Sequence, residues 1–226
     1  MSVKYESIVP WGRSFQEYVS MFNLTFDDLD KSILSCGDGP ASFNSTMKKS
    51  GKTVVSIDPL YNLNRRTIEK KIEETYETVM GQTKDNEDKF VWSTVKDVEE
   101  LGNIRMTSMR EFLSDYETGK IENRYIPAEL PYLPFENNQF ELALSSHFLF
   151  LYTENLSLDF HMNSIDEMLR VSEEVRIFPL LDMNAVPSIY LPYVVESLTK
   201  KGCKVEKIGV NYEFQKGGNS MLKITK

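Results

Sequence analysis

Short apolar runs alternate along this chain with stretches in which apolar residues recur every three or four positions. Runs of four to eight apolar residues are typical of strands buried on both faces, and the longer spacing is typical of amphipathic helices. The predicted strands are 32–36, 53–58, 125–126, 140–146, 174–181, 203–214 and 220–225. The predicted helices are 1–30, 41–50, 65–81, 90–116, 163–171 and 185–201. This alternation predicts an α/β fold of three layers, with a mostly parallel sheet between two layers of helices.

The end of the chain departs from simple alternation. Its last two predicted strands follow each other directly, joined by the glycine-rich segment 215–219, which is typical of a β-hairpin. A C-terminal hairpin places one antiparallel strand in the sheet, which we therefore expect to have seven strands. The length of 226 residues suits a single α/β domain, so we predict one domain over 1–226 with an N-terminal helical cap at 1–30.

The segment 62–122 is too long for an ordinary connection between neighbouring strands. A crossover needs about a dozen residues or a few more. We therefore predict that 62–122 contains the crossover helix and a helical insertion between the second and third strands. The insertion either adds packing bulk or covers a functional site, and the sequence leaves both alternatives open.

Composition narrows the range of functions. The formal net charge is −8, and no basic stripe is visible, so a nucleic acid is a disfavoured partner. The two cysteines show neither metal-ligand spacing nor a disulfide framework, so we predict no metal site. No signal peptide or long apolar run is visible, which predicts a cytoplasmic protein with no membrane partner.

The ends of two predicted strands carry residues suited to binding a ligand. The turn Gly37-Asp38-Gly39-Pro40 follows the first predicted strand, and Asp58 ends the second. Glycine lacks a Cβ, so the turn allows a ligand to approach the backbone closely. A carboxylate at the end of the second strand can accept hydrogen bonds from both hydroxyls of a ribose. Strand, glycine turn, helix, strand and acid together are typical of a nucleotide-binding βαβ unit.

Three segments carry a resemblance to a known family: 33–42, 54–58 and 128–144. In the last of them, the acid Glu129 precedes Leu133-Pro134-Phe135. With these segments the chain resembles the class I S-adenosylmethionine-dependent methyltransferase superfamily over nearly its whole length. More narrowly, 10–15 and 37–44 look like a bacterial group of uncharacterised methyltransferase-like proteins. The resemblance implies a Rossmann-like methyltransferase fold and S-adenosylmethionine as cofactor. The chain departs from the pattern at Pro40, where many relatives have a small residue before another glycine.

The resemblance also implies roles for individual residues. Asp58 would bind the ribose, Glu129 would accept from the adenine amino group, and His147 is the candidate general base. The residues expected to bind the cofactor are Gly37, Asp38, Gly39, Pro40, Asp58, Pro59, Glu129, Leu130, Ser145 and Ser146. Further contacts with cofactor or substrate are expected from Trp11, Arg13, Tyr18 and Tyr152.

The expected reaction is therefore methyl transfer by in-line displacement to a small-molecule acceptor. Two alternatives stay open: a non-catalytic module that binds S-adenosylmethionine, and a methyltransferase acting on a protein or nucleic acid. Against base methylation, Ser-Ser-His-Phe follows the fourth strand where an Asn/Asp-Pro-Pro-aromatic motif would stand. A nicotinamide oxidoreductase is disfavoured, because the turn lacks the third glycine of the dinucleotide fingerprint.

Overall fold

A seven-stranded sheet forms the middle layer of the protein. Its strands are β1 (Ile33–Cys36), β2 (Val54–Ile57), β3 (Tyr125–Ile126), β4 (Phe140–Ser146), β5 (Ser172–Phe178), β6 (Lys204–Gly209) and β7 (Ser220–Thr225). They lie in the order β3-β2-β1-β4-β5-β7-β6. The computed structural model describes residues 9–226. Strands β1 to β5 are mutually parallel, and β7 pairs antiparallel with both β5 and β6. The predicted sheet, with one antiparallel strand from the C-terminal pair, is confirmed.

Helices cover both faces of this sheet. They are α1 (Phe15–Met21), α2 (Phe26–Leu29), α3 (Phe43–Lys49), α4 (Arg65–Asp85), α5 (Val98–Ile121), α6 (Leu158–Val171) and α7 (Leu191–Lys200). Successive residues of a strand point to opposite faces. Leu142 and Leu144 accordingly pack with residues of α1 and α3, whereas Ala143 packs with residues of α6 and α7. The central strands are buried on both sides, which explains their nearly continuous apolar sequence.

The segment before α1 lies against the turn that follows β1. Ser14 caps α1 in a reciprocal arrangement with Glu17. The backbone N–H of Ser42 donates to the carbonyl of Arg13 at 3.0 Å. Gly12 is required here, because a Cβ at this position would lie 2.1 Å from the carbonyl oxygen of Pro40. Residues 1–8 of the predicted N-terminal cap lie outside the described residues.

The segment 62–122 contains α4 and α5, which pack against each other. A buried aromatic cluster of Tyr61, Phe112, Tyr116 and Tyr125 joins α5 to the edge of the sheet. The division of the chain into cap, insertion and single domain stays a prediction.

Several predicted elements differ from the structure. Among the described residues, two short helices, α1 and α2, replace the helix expected over 1–30, and the helix expected over 90–116 begins only at Val98. The helix expected over 185–201 begins only at Leu191, because Ala185 has a φ of 63° and Pro187 interrupts the segment. The strand expected over 203–214 ends at Gly209, so a loop of residues 210–219 replaces the expected tight turn. Within residues 9–226, no helix is both long and apolar enough to cross a membrane.

Candidate functional site

The candidate site lies where the chain reverses its direction of travel across the sheet. From β1 the chain moves outward to β2 and β3, and it then returns to β4 on the other side of β1. The two crossovers therefore diverge at the carboxyl ends of β1 and β4 and leave a crevice there, which is where open α/β sheets bind ligands. A cavity of about 510 Å³ opens at this point.

Most of the residues predicted from the sequence meet in this first cavity. Its lining includes Trp11, Arg13, Tyr18, Gly37, Asp38, Gly39, Asp58, Pro59, Glu129, Leu130, Ser146 and His147. Pro40 and Ser145 do not line it, and both are buried; the hydroxyl of Ser145 has no hydrogen-bond partner among the described residues. Tyr152 lines a neighbouring cavity instead.

The glycine turn has the conformation that its residues predict. Gly37 and Gly39 have φ angles of 66° and 53°, in the left-handed region that glycine adopts without strain. A Cβ on Gly37 would also lie 3.0 Å from the ring of Phe148. The turn is tied to β2 by the backbone N–H of Gly37, which donates to the carbonyl of Ile57 at 2.9 Å.

Asp38 lies within the turn, but its carboxylate is bound by the protein itself. It accepts hydrogen bonds from the hydroxyls of Ser35 and Ser56, each at 2.6 Å, and from that of Tyr18. Burial raises the pKa of this carboxyl, which the three hydroxyl donors partly offset. Asp38 therefore orders the turn against β1, β2 and α1, a role that its position in the sequence does not reveal.

Asp58 joins the two strand ends and also faces the cavity. Its Oδ2 accepts from the backbone N–H of Gly39 at 2.9 Å, and its Oδ1 accepts from that of Leu60 at 2.8 Å. Burial raises the pKa of this carboxyl to about 6, helped by the negative charges of Asp38 and Glu129. Each carboxylate oxygen has a second lone pair for a ligand hydroxyl.

Arg13 and His147 form the far wall of the first cavity. The Nε of Arg13 donates to Nδ1 of His147 at 3.4 Å, and the hydroxyl of Ser146 lies 2.9 Å from the same nitrogen. Because arginine can only donate, Nδ1 is an acceptor and the neutral imidazole carries its proton on Nε2. Burial and the charge of Arg13 hold the pKa of His147 well below its ordinary value. His147 therefore presents an N–H donor at Nε2, while its other nitrogen, Nδ1, already accepts a hydrogen bond from Arg13.

A buried charge cluster supports this wall from behind. Glu17 accepts hydrogen bonds from Arg105 on α5 and from the hydroxyl of Tyr212 at 2.8 Å. Burial opposes the ionisation of Glu17, but the charges of Arg105 and Arg13 hold its pKa well below the ordinary range. Arg105 and Tyr212 were not predicted from the sequence, because both are distant from Glu17 along the chain.

A second cavity of about 130 Å³ adjoins the first. The two share the residues Val9, Trp11, Arg13 and His147 in their linings. The remaining lining of the second cavity comes from the segment 62–122, the end of β5, the segments that follow β4 and β5, and the loop 210–219. Its members are Val79, Thr83, Phe90, Leu101, Leu151, Tyr152, Phe178, Pro179, Met183, Tyr212, Phe214, Gln215 and Gly218.

Several solved structures share the outline of this fold at low identity. Magnesium protoporphyrin IX methyltransferase (ChlM) from Synechocystis PCC 6803, solved with bound SAM, is 8% identical, with 94% of this chain and 77% of that chain covered and a TM-score of 0.48. The methyltransferase domain of bacterial CtHen1 is 10% identical, with coverages of 93% and 98% and a TM-score of 0.49. A likeness of this degree concerns the fold only.

Similarity in sequence identifies a family. No family model matches the chain. The uncharacterized protein MJ0045 of the archaeon Methanocaldococcus jannaschii is 38% identical over 215 residues, which cover 93% of each chain. The expected resemblance to a bacterial group stays a prediction. An identity of this size over nearly the full length shows that the chain belongs to the same family as MJ0045.

Proposed function

We propose that this chain is an S-adenosylmethionine-dependent methyltransferase of class I and that the first cavity binds the cofactor. The observation that carries the proposal is Asp58, a half-buried carboxylate directly after β2 that lines the cavity beside the glycine turn. The cavity of about 510 Å³ lies within the roughly 300–1,000 Å³ of small-molecule sites. Burial disfavours the charge of Asp58, so ligand hydroxyls that donate to it would offset this cost.

The residues that line the cavity fit the parts of this cofactor. Asp58 would accept from the ribose hydroxyls, and Glu129 and Leu130 would lie along the adenine. The backbone of Gly37 and Gly39 leaves space for the rest of the cofactor, because neither residue carries a side chain. When bound, S-adenosylmethionine supplies a methyl group on a positively charged sulfur, which is already activated for transfer.

The protein then has to align the acceptor with that methyl group. Orientation of this kind can supply about 7–11 kcal/mol of the barrier. His147 is a poor general base in this arrangement, because Arg13 donates to its Nδ1 and its pKa is lowered. We therefore assign it a positioning role through its Nε2–H, in place of the expected proton removal.

A thermal-shift experiment tests the proposal. At a hundredfold excess over its dissociation constant, a ligand bound only by the folded state adds about 2.7 kcal/mol. For a chain of this length we expect S-adenosylhomocysteine to raise the melting temperature by roughly 5–10 °C. NAD at the same concentration is the control and should produce little change. A shift with NAD but none with S-adenosylhomocysteine would contradict the proposal.

A further inference from the structure

We propose that the second cavity is the acceptor chamber, and that the acceptor is a small carboxylic acid with an apolar body. Arg13 binds its carboxylate, which is methylated to an ester. This inference rests on the proposed function, since the first cavity must hold the methyl donor. It goes further by specifying the chemical class of the acceptor and the atom that receives the methyl group.

The size and lining of the second cavity select an apolar body. Its lining includes the apolar side chains of Val79, Leu101, Phe178, Met183 and Phe214. Its volume of about 130 Å³ is close to the roughly 150 Å³ of an apolar cavity that admits benzene. A single ring or a short branched chain would therefore fill it.

Arg13 supplies the one charge in this lining. No other charged side chain among the described residues lines the second cavity. Among residues 9–226, the hydrogen bond from its Nε to His147 is the only one that the Arg13 side chain makes, so its two terminal nitrogens have no partner in this part of the chain. Arg105 lies nearby, and Glu17 balances one of these two cations. The cluster keeps one uncompensated positive charge, which a bound anion would neutralise.

The uncommitted hydrogen-bonding groups around the second cavity include three donors. Arg13 offers its terminal N–H groups, and His147 offers Nε2–H. The hydroxyl of Tyr152 accepts from the backbone N–H of Val9 at 3.3 Å, and its proton has no acceptor among the described residues. In contrast, the hydroxyl proton of Tyr212 is committed to Glu17. Three donors, one of them the cation Arg13, match a group with two acceptor oxygens and a negative charge, which is a carboxylate.

The chemistry of a carboxylate also matches the groups present. Among residues 9–226, no Asp or Glu lines the second cavity, and burial raises the pKa of Tyr212 to about 12 and that of Tyr152 above its ordinary value. A carboxylic acid is already ionised at neutral pH, so it needs no base. One carboxylate oxygen bonds to the methyl carbon while the carbon–sulfur bond breaks. The electron pair of that bond stays on sulfur, so the products are a methyl ester and neutral S-adenosylhomocysteine, and no proton moves.

Arg13 lines both cavities, so the experiment must distinguish the acceptor from the cofactor. We would saturate the protein with S-adenosylhomocysteine and titrate benzoate, cyclohexanecarboxylate and hexanoate by calorimetry, each against its own amide. We expect at least one acid to bind tenfold or more tightly than its amide. We also expect Arg13→Gln to abolish that preference. If no acid is preferred, or if the preference survives in Arg13→Gln, the inference is overturned.

Filling the chamber supplies an independent test. Val79 lines the second cavity but not the first, so Val79→Phe should reduce the affinity for the preferred acid at least tenfold and leave that for S-adenosylhomocysteine unchanged. Leu101→Phe is a second filling variant in case the first is poorly folded. Val186→Phe, at a half-exposed position outside both cavities, is the matched control. Unchanged acid binding in a folded filling variant would refute the location.

The reaction itself gives a final readout. With S-adenosylmethionine, the preferred acid should give a methyl ester that alkali cleaves to methanol. Binding of S-adenosylhomocysteine without any preference for acids would refute this inference alone. Failure of S-adenosylhomocysteine to bind at all would refute the proposed function as well.

Discussion

Replacing Asp58 by asparagine tests the proposed ribose contact, and the structure sets the size of the effect on folding. Both carboxylate oxygens accept a backbone N–H, from Gly39 and from Leu60. Asparagine has a single acceptor oxygen, so one of these bonds is lost, and a hydrogen bond to a charged group contributes about 1.5–3 kcal/mol. The neutral amide also removes the negative charge of a half-buried carboxyl whose pKa is raised to about 6, and removing this unfavourable charge opposes the loss. We expect the free energy of unfolding to fall by no more than about 2 kcal/mol.

Cofactor binding should respond more strongly than stability. The amide still accepts from a ribose hydroxyl, but without the charge that strengthens both hydrogen bonds. We expect the affinity for S-adenosylhomocysteine to fall by one to two decades, at about 1.4 kcal/mol per decade. The assay is calorimetric titration of the variant and the parent, with denaturant unfolding to show that both are folded.

Asp97→Asn is the matched control. Asp97 also caps a helix with its carboxylate, which accepts from the backbone N–H of Glu100 at 2.8 Å, and it lies outside both cavities. The affinity of Asp97→Asn for S-adenosylhomocysteine should equal that of the parent protein. If Asp58→Asn is folded and also binds like the parent, Asp58 serves only to order the turn, and the assigned position of the ribose is wrong.

Three further predictions concern the charged groups. Since the pKa of Asp58 is about 6 in the free protein, affinity for S-adenosylhomocysteine should fall about tenfold from pH 7 to pH 5, and Asp58→Asn should show no such dependence. The same raised pKa means that the contribution of Asp58 to stability decreases as pH rises from about 4 to about 6; a stability gain in that window that disappears in Asp58→Asn would contradict the assignment. Glu17→Gln leaves buried Arg105 without its anion, so urea unfolding should show a loss of about 3–5 kcal/mol, whereas Glu111→Gln, which breaks an exposed pair, should lose less than about 1 kcal/mol.

The sheet could be predicted from the sequence because its signals are local. A strand buried on both faces requires a continuous apolar run, and a tight turn after it requires glycine, so β1 and its turn are visible in a few adjacent residues. The position of Asp58 follows from the same signals, since it directly ends β2. The prediction of a strand and a turn over 210–219 is wrong, because Tyr212 and Phe214 line the second cavity and do not continue β6.

The electrostatic part of the site could not be predicted in this way. Glu17, Arg105 and Tyr212 meet across the fold from three elements, and no spacing along the chain indicates that pairing. The role of Asp38 depends similarly on hydroxyls from three separate elements. The sequence also does not indicate that Glu17 pairs with Arg105 and thereby leaves the Arg13 guanidinium without a carboxylate partner among the described residues.

A crystal structure of the protein with S-adenosylhomocysteine is the most direct test of the central claim. Our account predicts that the ligand fills the first cavity, with both ribose hydroxyls on the carboxylate of Asp58 and the adenine beside Glu129. The sulfur should then lie toward the wall of Arg13 and His147, where the two cavities meet. A nucleoside bound away from Asp58, or a first cavity left empty at saturating ligand, would contradict it.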